Sequence, residues 1–350
     1  MNEMAVELPL DELRRALAAL DPALSAPDQL NLLIEAGLDR LPLPGRGATL
    51  LRWQALAAVA ATDLSLAKLY EGHTDALAVL AELGVQPELS KAPASWGVWA
   101  AEAPQGRTVI EANADAPDGS VRLNGAKRWC SGAAGASHAL LTACHADGRG
   151  PQLVAVSLLQ PGVRVIGDAW HAVGMAGSAS VDVAFDRARA RLVGQVGDYL
   201  SRPGFWQGGA GIAACWYGGT LAIADALRRT LLQGAPSARG PFRLAALGRV
   251  DVALQATAAL LRQSAAWIDA NPGADASAVA LRARLCAEDS ATLVLAEVGR
   301  ALGATPFCRD ARFARAAADL PVFIRQSHAQ RDLAALGERS LDQDVSPWLL

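Results

Sequence analysis

Trp129 and Ser131 stand two apart in the run Arg-Trp-Cys-Ser-Gly at 128–132. On a β-strand alternate side chains share a face, so the indole and the hydroxyl would point together, a flat apolar contact beside a hydrogen-bond donor. The alternative is a core Trp followed by a serine that opens a turn before Gly132. His328 and Asp332 lie four apart and on a helix would share a face. His73, in the run YEGHTDAL, could face a cavity. Both histidines also read as surface or interhelical residues. The five cysteines (Cys130, Cys144, Cys215, Cys286 and Cys308) form no C-x-x-C pair and no metal-like spacing with His. No Ser-His-Asp triad is supported. Reduced thiols in a cytoplasm are the simplest reading.

The elements that must position these residues come in three blocks. The chain has 350 residues, 52% of them hydrophobic and 19% charged, so a large core is available. Ala and Leu dominate the first 85 residues and nearly everything after Ile212, which favours helices. Leu10, Leu13, Leu17 and Leu20 recur at helical spacing, and a second helix spans about Pro27 to Ala36. Asp63 interrupts the apolar run that follows, as a cap between two helices, and Thr74 to Leu83 reads as a further helix closed by Gly84. From Ser95 the period changes to two. Seven short strand-like runs follow, separated by turn signals such as Pro117-Asp118-Gly119 and Asn124-Gly125. They predict an antiparallel barrel or sandwich. After Pro203 helices return over 211–234, 241–271, 275–302 and 319–336, a four-helix bundle. The fold class is α+β, with a helical domain at 1–93, a β-domain at 94–200 and a bundle at 201–350. A net charge of −3 gives no electrostatic case for nucleic acid. No apolar run reaches membrane-spanning length uninterrupted, which argues against membrane insertion. No G-x-G-x-x-G occurs, which disfavours a Rossmann domain.

Four motifs in this order resemble the acyl-CoA dehydrogenases, from about residue 30 to residue 336. LNGAKRWCSGAAGASHALLTA (123–143) looks like that family's β-domain signature, and GDAWHAVGMAGSASVDVAFDRARA (167–190) like its G-M-R-G-S/T element. LIEAGLDRLPLP, the Asp63-x-Ser65 pair and LYEGHTDAL match its N-terminal helices. LGATPFCRDARF (302–313) resembles the end of its bundle. The resemblance implies FAD, with Trp129, Cys130 and Ser131 against the isoalloxazine and the Ser131 hydroxyl donating to the flavin. It aligns Trp99, Ala100, Ala101 and Glu102 with the family's Thr-Glu-Pro-Gly loop. Ala101 replaces the Thr and the Gly-Ser portion is missing, which weakens the expectation of a CoA thioester more than that of FAD. Arg239, with Arg243 behind it, would meet the pyrophosphate from a neighbouring subunit, and Gly303 and Ala304 would approach the ADP half. Those contacts imply a homodimer or homotetramer.

Dehydrogenation needs a carboxylate to take the α-proton. The family's usual position falls on Ala318, with Asp319 next to it; its alternative falls on Gly208 or Gly209, beside Gln207. Asp319 is therefore the candidate base, although it would serve equally as a helix N-cap before Leu320-Pro321. His73, Glu102, Gln207 and His328 are the candidate substrate-pocket residues. The leading expectation is an FAD-dependent oxidoreductase acting on a CH–CH group of a small acyl substrate, with a separate electron acceptor. A flavin-dependent monooxygenase of the same fold, which needs no such base, is the alternative, and a degenerate, non-catalytic protein that binds flavin or a partner is the third reading.

Overall fold

The computed structural model describes residues 9–85, 94–102, 107–112, 120–167, 170–234, 239–341, 346 and 348–349. Compact packing groups the chain into two units that do not follow sequence order. The first comprises 1–42, 65–172 and 176–205; the second comprises 43–64, 173–175 and 206–350. The Pro117–Gly119 turn lies outside the described residues.

In the first unit, helices α1 (Leu10–Ala19), α2 (Ala26–Glu35) and α4 (Leu64–Glu82) accompany seven strands. These are β1 (Trp96–Trp99), β2 (Thr108–Ala112), β3 (Val121–Cys130), β4 (His138–His145), β5 (Pro151–Ser157), β6 (Val163–Ile166) and β7 (Val181–Val193). The short α5 (Asp198–Ser201) follows. Strands β4, β2, β3, β7 and β5 pair in turn, and β5 pairs back to β4, so the sheet closes into a barrel. Closure leaves no long edge to aggregate. The barrel is not wholly antiparallel as the pattern predicts: β1 and β2 both pair with β4 in parallel. The ring β2-β3-β7-β5-β4 has five strands, and with its other four pairings antiparallel the β4–β2 pairing that closes it must be parallel.

The barrel interior is filled by Trp99, Leu123, Leu141, Val154, Val183 and Phe185, among others. Ala76, Val79 and Leu80 of α4 pack outside it with Trp96, Leu140, Leu153 and Val193. Burial of each large side chain contributes about 1.5–3 kcal/mol. The helix expected to begin at Thr74 is instead the second half of a continuous α4. Its polar residues are satisfied in place, with the Thr74 hydroxyl donating back to the Glu71 carbonyl at 3.2 Å.

The Asn124-Gly125 pair is not a hairpin turn. Leu123 faces Ala188 and Gly125 faces Phe185, so β7 carries one extra residue and forms a bulge. Arg187, at φ 52°, is displaced there, and its N–H donates to the Asn124 side-chain oxygen at 2.8 Å. Gly125, at φ 103°, sits so close to β2 that a Cβ would lie 2.1 Å from the Arg107 carbonyl oxygen.

The second unit holds α3 (Thr49–Thr62), α7 (Ile212–Gln233), α8 (Pro241–Ala270), α9 (Ser277–Leu302), α10 (Thr305–Arg309), α11 (Ala311–Phe323) and α12 (Gln330–Leu341), with α6 (Gly204–Ala210) leading into α7. Asp63 does separate α3 from α4, in an extended conformation. The single helix expected over 319–336 is replaced by α11, a 3-10 turn at Ile324–Gln326, and α12. Asp310, not Asp319, caps α11: its carboxylate accepts the N–H groups of Arg312 and Phe313, both at 3.0 Å.

Candidate functional site

The first unit gathers its reactive groups where β3 ends and β7 begins. Lys127 faces Val183 and Cys130 faces Val181, so β3 carries one extra residue between them. This second bulge puts Trp129 at φ 59°, in the left-handed region, a conformation that costs a bulky residue about 1–3 kcal/mol and is retained where function requires it. It also breaks the alternation that the sequence implies for Trp129 and Ser131. The Trp129 indole stands 58% exposed, against the edge of Trp170 with ring centroids 6.5 Å apart. The Trp170 Nε1 is shielded from solvent and has no hydrogen-bond partner among the described residues.

Two residues after Trp129, Ser131 has its Oγ 2.7 Å from that of Ser180, which lies 3.3 Å from the Ser178 Oγ. The Trp99 indole, buried in the barrel, donates to the Ser131 carbonyl at 3.2 Å, and the Gly132 N–H donates to the Ser178 carbonyl at 2.8 Å. Trp99 is therefore a support for the Ser131 backbone and not an exposed contact surface. Cys130 points into the core, its thiol 3.2 Å from the Lys127 carbonyl. Burial pushes that thiol well above its ordinary range, so it stays protonated. Its side chain lies in the core, so only its backbone is left for the expected flavin contact. Ala100 is half-buried and Ala101 exposed, just beyond β1.

Two expected pocket residues in this unit have other partners. Glu102 accepts from the buried Lys127 ammonium at 3.1 Å and from the Thr142 hydroxyl at 2.6 Å. Lys127 also donates to Thr142 Oγ1 and O, both at 2.9 Å, so its three donors are all used. His73 is 1% exposed, with Nε2 3.0 Å from Asp39 and Nδ1 accepting the Trp96 N–H at 3.2 Å. Both ring nitrogens are committed to the frame, and no face of His73 is left for a substrate.

In the second unit, Asp319 lies inside α11, 3% exposed, and its Oδ1 accepts the N–H of Met175, itself at φ 59°. Gly174 presses on the same helix: a Cβ there would lie 2.0 Å from the Ala318 carbonyl oxygen. The carboxylate thus clamps a strained turn. Burial pushes its pKa above the ordinary Asp range, opposed by the Met175 N–H and reinforced by Asp63. Gln207 is buried and donates to the Pro272 carbonyl at 2.8 Å, beneath Gly45, which also removes it from any pocket. His328 precedes α12 and does not lie on it; it is exposed, and its N–H donates to Asp332 at 3.0 Å. Arg239 is exposed, with Nε donating to the Leu231 carbonyl. Arg243 instead reaches the end of α9, donating to the Ala301 carbonyl at 3.2 Å. That is two residues before Gly303, whose Cβ position is open, and Ala304, which is exposed. Among the described residues no group of His, Cys, Asp and Glu could hold a metal ion.

Sequence reasoning missed Trp170, Met175, Ser178 and Ser180. All four lie within the 167–190 motif, and the signal for the serines was a hydroxyl pair directly before a strand that runs against the Trp-Cys-Ser strand.

Residues 100–188 match the family of acyl-CoA dehydrogenase middle domains. No curated protein matches the chain. Among solved structures, the methanesulfinate monooxygenase MsuC of Pseudomonas fluorescens is 21% identical, with 96% of this chain and 97% of that one covered and a TM-score of 0.79. FMN-bound TdsC of Paenibacillus sp. A11-2 is 19% identical over 95% of each chain, with a TM-score of 0.77. A nitrososynthase of Micromonospora carbonacea var. africana is 18% identical over 96% of this chain and 94% of that one, with a TM-score of 0.73. Residues 100–188 are thus similar to acyl-CoA dehydrogenase middle domains, and the chain as a whole has the acyl-CoA dehydrogenase-like fold that these structures share.

Proposed function

We propose that this protein is a flavin-dependent oxidoreductase working as a monooxygenase on a small organic substrate. The observation that carries the choice is the fate of the two positions where a dehydrogenase would hold its base. One is Ala318, beside an Asp319 that is buried and bonded to Met175. The other is Gly208–Gly209, beside a Gln207 bonded to Pro272. Neither offers an exposed carboxylate, and oxygenation needs none there. TdsC and MsuC, which share the fold, are monooxygenases.

The residues present fit a flavin. A strained, exposed indole, a hydroxyl one strand-end away and a buried Trp170 Nε1 lacking a partner are what a flat ring with polar edges would complete. Reduced flavin, when bound, supplies two electrons to dioxygen, so that one oxygen atom enters the substrate and the other leaves as water. Trp129 would give the ring an apolar face and shed water, while Ser131 donates to its polar edge. Cys130, held as a thiol inside the barrel, offers no competing nucleophile. A separate reductase would deliver the reduced flavin.

The second reading is oxidation of a CH–CH group in an acyl thioester, with FAD and a separate electron acceptor; the middle-domain match favours it. The meeting of Arg243 with the end of α9 near Gly303 favours FAD over FMN, because a guanidinium beside open backbone suits a pyrophosphate.

The test begins with FMN and FAD titrations of purified protein. Reduced FMN, labelled dioxygen and indole or methanesulfinate as probe are then supplied. Label in the product supports the monooxygenase. Anaerobic bleaching of bound FAD by an acyl-CoA panel, with no labelled product, supports the second reading. Failure to bind either flavin removes both.

A further inference from the structure

We propose that Ser180 is a positioning residue that makes the Ser131 hydroxyl a hydrogen-bond donor to the flavin, through a relay beginning at Ser178. The inference rests on the flavin reading above and assigns a task to a residue outside the recognised Trp-Cys-Ser motif.

The register of the two strands creates the arrangement. Cys130 pairs with Val181, so the next residue of one strand and the preceding residue of the other, Ser131 and Ser180, are brought opposite each other at the open end of the ribbon. Their hydroxyl oxygens lie 2.7 Å apart, a full hydrogen bond. Ser178, 2% exposed, stands behind with its Oγ 3.3 Å from that of Ser180. Each hydroxyl has one proton to give. When Ser178 donates to Ser180 and Ser180 to Ser131, one lone pair of Ser131 is occupied from within and its own proton is directed away from the cluster. The backbone around Ser131 is fixed independently, by the Trp99 indole on its carbonyl and by the Gly132 N–H on the Ser178 carbonyl. The remaining freedom of Ser131 is hydroxyl rotation, and Ser180 is the group that governs it. A donor held in place before charge develops stabilises an anion without reorganisation. The reduced flavin carries more negative charge than the oxidised form, so the relay favours the reduced form.

The experiment compares wild-type protein with Ser131→Ala, Ser180→Ala and Ser180→Thr, reading the affinities for oxidised and reduced FMN and the midpoint potential of the bound flavin. Loss of one hydrogen bond to a charged group weakens binding of the reduced form by about tenfold relative to the oxidised, a fall of about 30 mV for a two-electron couple. Ser180→Ala is expected to reproduce most of the Ser131→Ala shift, and Ser180→Thr, which keeps the hydroxyl, to restore the wild-type potential. A merely structural loss would weaken both redox forms alike. A Ser180→Ala potential equal to wild type while Ser131→Ala shifts would overturn the relay and leave the flavin reading standing. Equal potentials in Ser180→Ala and Ser180→Thr, both shifted, would overturn it as well. Wild-type protein that binds no FMN would remove the flavin reading and the relay with it.

Discussion

Asp319 shows how one side chain's partners decide its role. A base must reach solvent or substrate, whereas this carboxylate is buried and holds the N–H of Met175. Removing it altogether deletes this buried hydrogen bond, so Asp319→Ala should cost about 1–3 kcal/mol in urea unfolding. Asp319→Asn keeps an accepting oxygen and removes a buried charge, and should match or exceed the wild type at neutral pH. The sign follows from the raised pKa. The folded state binds this proton more tightly than the unfolded chain, so the stabilisation is full below the unfolded value and is lost as pH rises through the folded one. The wild type should gain on the Asn variant as the pH falls, so any advantage of the variant at neutral pH disappears on acidification. An Asn variant as unstable as the Ala variant at neutral pH would refute the clamp. Trp129 is the opposite case, an exposed ring in a costly backbone conformation. Trp129→Ala should weaken FMN binding at least tenfold, about 1.4 kcal/mol, without loss of folding stability. Unchanged FMN affinity in a titration would remove Trp129 from the site.

At the level of elements, two close approaches set the geometry and can be probed with one methyl group each. Gly125 combines φ 103° with a Cβ position 2.1 Å from the Arg107 carbonyl oxygen. Gly125→Ala adds backbone strain of about 1–3 kcal/mol and pushes β2 away from β3. Gly218 lies inside α7, and a Cβ there would stand 2.2 Å from the Ala57 carbonyl oxygen of α3. On an exposed helix Gly→Ala stabilises by about 1 kcal/mol; here the clash with backbone outweighs that gain. Gly218→Ala should therefore lower the urea midpoint. A rise in the midpoint would show that α3 and α7 have room to separate.

For the whole molecule, α8 carries large apolar side chains that none of the described residues covers. Phe242, Leu244 and Val252 are 88%, 50% and 70% exposed on this 30-residue helix. Two helical segments, 204–233 and 241–270, are long and apolar enough to cross a membrane by length and composition; 78% of the apolar stretch of the first is buried and only 22% of the second. Arg249, Asp251 and Arg262 interrupt α8 with charges that a bilayer would penalise. We propose that a second copy of the chain covers these side chains, as in the expected homodimer or homotetramer. Light scattering should give a multiple of the 36.3 kDa chain mass, and Val252→Asp should lower it. A monomeric wild type, or co-sedimentation with phosphatidylcholine vesicles, would sink this assignment.

The order helix, strand, helix was legible because periodicity is local: the shift from 3.6 to 2 near Ser95 and back after Pro203 reflects only which faces each segment can bury. The break at Asp63 and the stop at Gly84 were legible for the same reason. Asn124-Gly125 was not, since the dipeptide supplies the same backbone freedom to a turn and beside a bulge, and only the register against β7 distinguishes them. His73 and Gln207 looked available because their partners, Asp39 and the Pro272 carbonyl, lie 34 and 65 residues away. The Trp-Cys-Ser motif was visible, yet the extra residue in β3 that turns Trp129 outward, and the serine pair opposite it, exist only once β3 and β7 are paired. Local chemistry thus singled out Trp129 and Ser131 from the sequence alone, and the long-range pairing of β3 with β7 decided which way they face and what stands opposite them.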